Sequence, residues 1–422
     1  MSWRTGAARS GDALAHGRAL PVNSLHPHPA RGAGDALVIA CGVVAAAHVG
    51  KLPTALPALR DEFALSLLQS GFLLSLVQAA TMVLALSVGL VVDRTGLRKA
   101  LGGGLLLLAL ASAAGAWGSS AAALMLGRAA EGLGFLLVTL SAPTLVRELV
   151  RPDQLKARLG VWGAFMPAGT ALALVGGPWV MGVVGWRGWW ALLAVVALLM
   201  AVWVVRRLGL ADPPKPTPVH GSSGVGPLRE TLGAAAPWWA AATFAAYSSQ
   251  WLTVVGFLPS IYTQQGLGAA AAGALTAGVA AANVVGNVAA GRLLQQGVWA
   301  PVLLVVGFVT MAVCAYGAFS SQVLPAGWAR YAAVITFSAV GGLIPATLFA
   351  TAVQVAPSER AVPLVLGWIM QWSALGQFMG PPVAAWWTQA RGDWSGTWVT
   401  TGAAACLGIG LSLGLARHLR RP

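Results

Sequence analysis

The sequence predicts an all-α membrane protein of twelve transmembrane helices, arranged as two pseudo-symmetric six-helix bundles. Three observations carry that prediction. Hydrophobic residues make up 57% of the 422 and charged residues 9%, against roughly 25% charged in a soluble protein. Apolar windows of about 18 residues or more, the length that crosses a hydrocarbon core, recur along the whole chain, and the mean hydropathy is +0.74. The longest polar interruption, RRLGLADPPKPTPVHGSSGVGPLRETLGAA at 206–235, divides those windows six and six. A β-barrel would instead alternate apolar and polar residues in short segments.

Taken in order, residues 1–35 carry Arg4, Arg9, Arg18 and Arg31 among several Pro and Gly, with no apolar core of a secretory signal. They predict a disordered cytoplasmic tail. The first bundle, 36–205, holds spans at 36–58, 70–92, 100–118, 121–146, 158–183 and 188–205. Pro213, Pro214, Pro216 and Pro218 followed by GSSG make 206–235 an extended cytoplasmic linker. The second bundle, 236–416, holds spans at 236–260, 270–291, 299–320, 324–350, 361–387 and 396–416, before a cytoplasmic tail at 417–422.

A net charge of +14 could suggest nucleic acid, but its distribution excludes that partner. With the N-terminus inside, 20 of the 26 Lys and Arg lie on the cytoplasmic side and only Arg60, Arg187 and Arg391 outside. This is the positive-inside bias of a multi-pass plasma (inner) membrane protein with both termini cytoplasmic. Cys41, Cys314 and Cys406 all fall in spans, so neither a disulfide framework nor zinc spacing is present. No Walker A motif, metal cluster or nucleophile–base pair appears. The chain is therefore expected to be neither an enzyme nor an ATP-driven pump, to hold no metal or other cofactor, and to act as a monomer.

The two halves align at an offset of 202: Gly71 meets Gly273, Pro57 meets Pro259, Gly89 meets Gly291, Arg128 meets Arg330 and Pro143 meets Pro345. Gly177-Pro178 and Gly380-Pro381 follow at 203. An Arg pair matched inside apolar spans points to a duplicated six-helix unit, as in transporters whose substrate site lies between halves.

Between spans 2 and 3 the chain reads Gly89-x-x-x-Asp93-Arg94-x-Gly96-x-Arg98-Lys99. Gly89 permits close helix contact and Gly96 a tight turn. This pattern resembles the loop signature of the major facilitator superfamily, with Leu97 where the family has a basic residue. The second-half loop has Gln295 at the Asp position. In span 4, Leu124-x-x-x-Arg128-x-x-Glu131-Gly132-x-Gly134 resembles the superfamily's second motif, with Glu where Gln is common. Gly177-Pro178 with Gly182 partly matches its Gly-Pro motif, and Trp186-Arg187-Gly188-Trp189-Trp190 resembles its turn between spans 5 and 6. The resemblance covers 36–416 and implies that Gly89, Asp93, Arg94, Gly96, Arg98 and Lys99 form a cytoplasmic gate. A purely topogenic basic loop is the alternative. HVGKLPTALPALRDEFALS at 48–66 weakly resembles the cyanate-permease-like branch.

The ionisable residues inside spans are His48, Lys51, Arg128, Glu131 and Arg330, and such residues are costly in hydrocarbon. His48 and Lys51 share a face of helix 1, as Arg128 and Glu131 share one of helix 4. At about 1.5 Å per residue, Lys51 lies about 6 Å and Arg128 about 8 Å outward of their span centres, so their levels match. The family's helices 1, 4, 7 and 10 line its cavity, which implies that all five converge there. Structural alternatives stand beside each: Lys51 could snorkel outward, and Arg128–Glu131 could be a packing ion pair. Asn283, Asn287, Gln371, Gln377, Tyr247, Ser249 and Gln250 could serve as interhelical glue, although Gln250 is the repeat mate of His48.

Three embedded cations against one carboxylate point to an anionic or strongly polar visitor. The expectation is a secondary, alternating-access transporter of a small anion or organic acid, coupled to protons or another ion. His48, Lys51, Arg128, Arg330 and Gln250 would bind substrate, and Glu131 and His48 would carry the proton. A proton-coupled exporter of apolar or cationic compounds is the rival.

Overall fold

Every regular element among the described residues is helical, as expected where hydrocarbon leaves backbone polar groups no partner outside their own segment. The computed structural model describes residues 31–210, 225–320, 323–325 and 327–419. The first half comprises α1 (Arg31–Phe63), α2 (Leu67–Ser75), a 3₁₀ turn (Leu76–Gln78), α3 (Ala79–Thr95), α4 (Leu97–Ala116), α5 (Ala121–Leu149), α6 (Pro152–Gly163) and α7 (Phe165–Leu208). The second comprises α8 (Val225–Gly233), α9 (Ala235–Gln264), α10 (Ala269–Gln295), α11 (Ala300–Phe319), α12 (Trp328–Gly341), α13 (Leu343–Val355), α14 (Val362–Arg391) and α15 (Thr397–Ala416).

Nine segments among the described residues are long and apolar enough to cross a membrane. The 44-residue α7 is two passes joined at Gly185, whose φ of +67° turns the chain back. The 30-residue α9 and α14 complete the set. They fall below the other spans in hydropathy because their Ser, Thr, Tyr and Gln face the protein interior. The described residues thus run the length of the bundle twelve times, with α1 beginning and α15 ending at the same end, here the terminal end.

Boundaries differ from expectation in several places, among them the start of the fifth pass at Phe165 rather than 158 and the end of α1 at Phe63 rather than 58. The α1 helix starts at Arg31, inside the stretch assigned to the tail, and the linker closes with the short α8. Most of the tail and linker, 1–30 and 211–224, lie outside the described residues, as does 420–422. The tenth pass begins at Trp328 rather than 324, since Gly327 adopts a φ of +90° and caps the helix there.

Small residues set the packing. In α5, Gly134 faces α4: a β-carbon on Gly104 would lie 2.8 Å from the Gly134 carbonyl oxygen. Two residues earlier, on roughly the opposite side of the helix, Gly132 faces the 3₁₀ turn, where a β-carbon would come within 2.5 Å of the Val77 oxygen. The span 4 motif therefore wedges α5 between two neighbours, which is how helices associate where lipid is as apolar as protein. The two halves meet at seams between α2 and α14 and between α7 and α10, where Gly71 abuts Pro381 and Pro382 and Gly273 abuts Leu174 and Pro178. Both of these glycine contacts lie in the half of the bundle away from the terminal end, while α14 also packs along α3, with Gly367 facing Leu86.

Candidate functional site

The α1 helix carries Pro53 and Pro57, which remove two backbone donors just beyond His48 and Lys51. Lys51 is fully buried, and its Nζ donates to Oε1 of Glu131 and, at 2.7 Å, to Oγ of Ser112. Ser112 passes its own proton to the Trp190 carbonyl at 3.0 Å, while the Trp190 ring centroid lies 4.5 Å from Nζ. Arg128 donates through one nitrogen to the other oxygen of Glu131 and, at 2.7 Å, to the His48 carbonyl. His48 Nδ1 stands 3.8 Å from Glu131 Oε1.

One carboxylate thus holds two cations in a water-poor site. Nε and the second terminal nitrogen of Arg128, and Nε2 of His48, are buried without a hydrogen-bond partner among the described residues. Breaking such a cluster by removing one partner costs about 3–5 kcal/mol, because a charge is left buried and uncompensated.

A separate cavity of about 540 Å³ lies between the halves. It runs from Gln78, Tyr247, Trp251 and Gln377 at mid-bundle to Leu159, Gly160, Arg292 and Gln295 at the terminal end. Its walls are aromatic and amide-rich. Asn283 donates to the Tyr247 hydroxyl at 2.8 Å and the Ser338 carbonyl at 2.9 Å, and Asn287 donates back to Asn283 at 2.9 Å. Gln78 donates to Gln377 across the two halves at 3.0 Å. Among the described residues the lining includes no Asp, Glu or Lys, and Arg292 is its single charged residue.

The structure brings together His48, Lys51, Arg128 and Glu131, but behind the cavity wall; Phe135, one turn from Glu131, faces the cavity instead. Arg330 does not join them. It sits in the first turn of α12, its Nε on the Leu324 carbonyl at 3.0 Å, because the helix starts later than the hydropathy suggests. Gln250 is buried in α9 and lines a second, smaller pocket. At the expected gate, Gly96 joins α3 to α4 with a φ of +102°, Arg98 donates to the Leu208 carbonyl at the end of α7, and Lys99 is exposed. The side chains of Asp93 and Arg94, and the surroundings of Gly89, lie outside the described residues.

Ser112 and Gln78 were not singled out from the sequence, and Trp190 only as part of the Trp-Arg turn between spans 5 and 6. The one available signal for Ser112 is its isolation in the run LLLLALASAAGA. At the far end, Glu62 receives Trp186 Nε1 at 2.7 Å and pairs with Arg187 at 2.7 Å, fixing the Trp-Arg turn to the end of α1.

Residues 38–381 match the family model described as Major Facilitator Superfamily. Among solved structures, the fold resembles a bacterial homolog to human lysosomal transporter, Spinster. Its inward-facing and unoccupied conformation gives a TM-score of 0.73 at 16% identity, covering 94% of this chain and 100% of that one. The inward-facing and occupied conformation gives 0.76 at 14% identity, covering 93% and 98%. Comparison with curated proteins gives no match.

Proposed function

Because the chain belongs to the major facilitator superfamily and is a multi-pass membrane transporter rather than an enzyme, we propose that it carries an organic acid with an apolar body, coupled to protons. The observation that supports this is the cavity wall. Aromatic and thioether side chains such as Phe135, Phe165, Phe244 and Met370 suit an apolar body, amides suit a polar head, and among the described lining residues the one charge is the Arg292 guanidinium. A guanidinium matches a carboxylate with a planar fork. A carrier of organic cations would gain from an acid on that wall, and none is among the described lining residues.

Proton coupling is assigned to His48, Lys51 and Glu131. A proton taken up by Glu131 or His48 loosens the hold on Lys51 and Arg128, and that difference in free energy biases which arrangement of the halves is favoured. The excess of basic residues at the terminal end supports a cytoplasmic opening of the cavity and cytoplasmic termini. The loop from Gly89 to Lys99 would gate that side, with Arg98 tying α4 to the end of α7.

The test is uptake into proteoliposomes of labelled aromatic and aliphatic monocarboxylates, their neutral amides, and a quaternary ammonium dye, with and without a pH gradient. Carboxylates driven by the gradient, with Arg292→Gln reducing uptake about tenfold, is the expected result. Transport of the dye alone would favour the exporter reading.

A further inference from the structure

Away from the substrate cavity, a second pocket of about 190 Å³ opens between α14 and α15, with α9 as its floor. Met379 and Val383, 50% and 44% exposed on the membrane face of α14, form part of its wall. Gln250, 1% exposed, stands in the floor beside Ser249 and Thr253. The donor inventory of this floor is largely spent. Ser249 gives its proton to the Ala246 carbonyl at 3.0 Å, Thr253 to Ser249 at 2.7 Å, and Thr401 on α15 to Thr397 at 3.0 Å.

The Gln250 amide donates to the Ala246 carbonyl at 2.9 Å. A carbonyl can only accept, so the nitrogen must face Ala246 and the oxygen is the atom left over. That oxygen is buried with no hydrogen-bond partner among the described residues. A buried acceptor left unmade is costly, and here it belongs to a pocket whose hydroxyls have already given their protons to backbone carbonyls. By the repeat offset of 202, Gln250 and Thr253 occupy the positions of His48 and Lys51. The second half has kept polarity at these two positions without the charge.

We propose that this crevice binds a small amphiphile from the bilayer, whose apolar body rests on Met379 and Val383 and whose hydroxyl or ammonium donates to Gln250 Oε1. The volume suits one ring or a short chain, being somewhat larger than the roughly 150 Å³ engineered cavity that takes up benzene. Entry past exposed hydrophobic side chains favours a membrane-dissolved molecule over a hydrated ion. The site is separate from the transport cavity, so its failure would leave the organic-acid proposal standing.

Benzyl alcohol and anisole are isomers of matched size, of which only the alcohol donates a hydrogen bond. Their binding to the full chain in lipid nanodiscs can be followed by ligand-observed NMR, alongside Gln250→Leu and, as a milder change of the floor, Thr253→Val. The expected result is saturable binding of benzyl alcohol at least tenfold tighter than anisole, with that preference lost in Gln250→Leu and affinity reduced in Thr253→Val, while thermal unfolding of the variants stays cooperative. Equal binding of the two isomers, absence of saturable binding, or an alcohol preference retained by both variants would overturn the proposal. Saturable sodium binding that depends on Gln250 and excludes the alcohol would also overturn it, in favour of an ion site.

Discussion

Gly71 and Pro382 meet backbone to backbone across the two halves: a β-carbon on Gly71 would stand 2.8 Å from the Pro382 Cα. Its repeat mate does the same on the other side, where a β-carbon on Gly273 would lie 2.5 Å from the Leu174 oxygen and 2.8 Å from a Pro178 ring carbon. The duplicated glycines and the duplicated Gly-Pro pairs therefore interlock crosswise, each glycine of one half against the Pro segment of the other. Overpacking a close contact costs about 1–3 kcal/mol. Gly71→Val and Gly273→Val are each expected to shift the protein away from this arrangement, and the double variant further. Labelling of a cysteine introduced near the far end should rise with each substitution, and unchanged labelling would show that the seams do not hold this state.

The charged cluster makes an asymmetric prediction. Lys51→Met leaves Arg128 paired with Glu131, whereas Glu131→Gln leaves two buried cations with no carboxylate between them. Glu131→Gln should therefore destabilise the purified protein by about 3–5 kcal/mol and Lys51→Met by clearly less, measured by thermal unfolding in detergent. Equal losses would mean that the cation held by Ser112 and Trp190 matters as much as the carboxylate.

Arg330 and Arg292 separate two views of how substrate is attracted. Arg330 is engaged with the Leu324 carbonyl at the start of α12, whereas Arg292 lines the cavity. Arg330→Lys should keep substrate affinity within about twofold, and Arg292→Gln should lower it about tenfold, near the worth of one charge-assisted hydrogen bond. Equilibrium binding of a transported carboxylate to both variants decides between them.

The pairing of Lys51 with Glu131 was not singled out from sequence; what was readable, because helical rise converts residue number into depth, is that Lys51 shares a level with Arg128. The further partners of Lys51 were not readable. A single Ser in an apolar run commonly satisfies itself on its own helix, so nothing marks Ser112 as the group that relays Lys51 to Trp190. Arg330 misled for the opposite reason: VLPAGWARY is apolar enough to extend a span, and only backbone conformation reveals the loop before Trp328. The cavity-facing sides of α9 and α14 were illegible because lipid and protein interior are equally apolar, which leaves little amphipathic stripe to read. The duplication, by contrast, was plain, since Gly and Pro are kept for backbone reasons.

That α9 and α14 fall short of the hydropathy of the other spans has a consequence for how the chain is made. A segment enters the bilayer from the translocon according to its own apolarity, and these two carry the Ser, Gln and Tyr of the cavity and crevice. They cannot be held by lipid alone during synthesis and must be retained until neighbours such as α10 and α15 arrive. Fused singly between reporter domains, α14 should insert incompletely, while α11, at a hydropathy of 2.3, should insert fully. Folding of the second half would then be ordered by partner arrival, and the helices that build the transport path would be the last to settle.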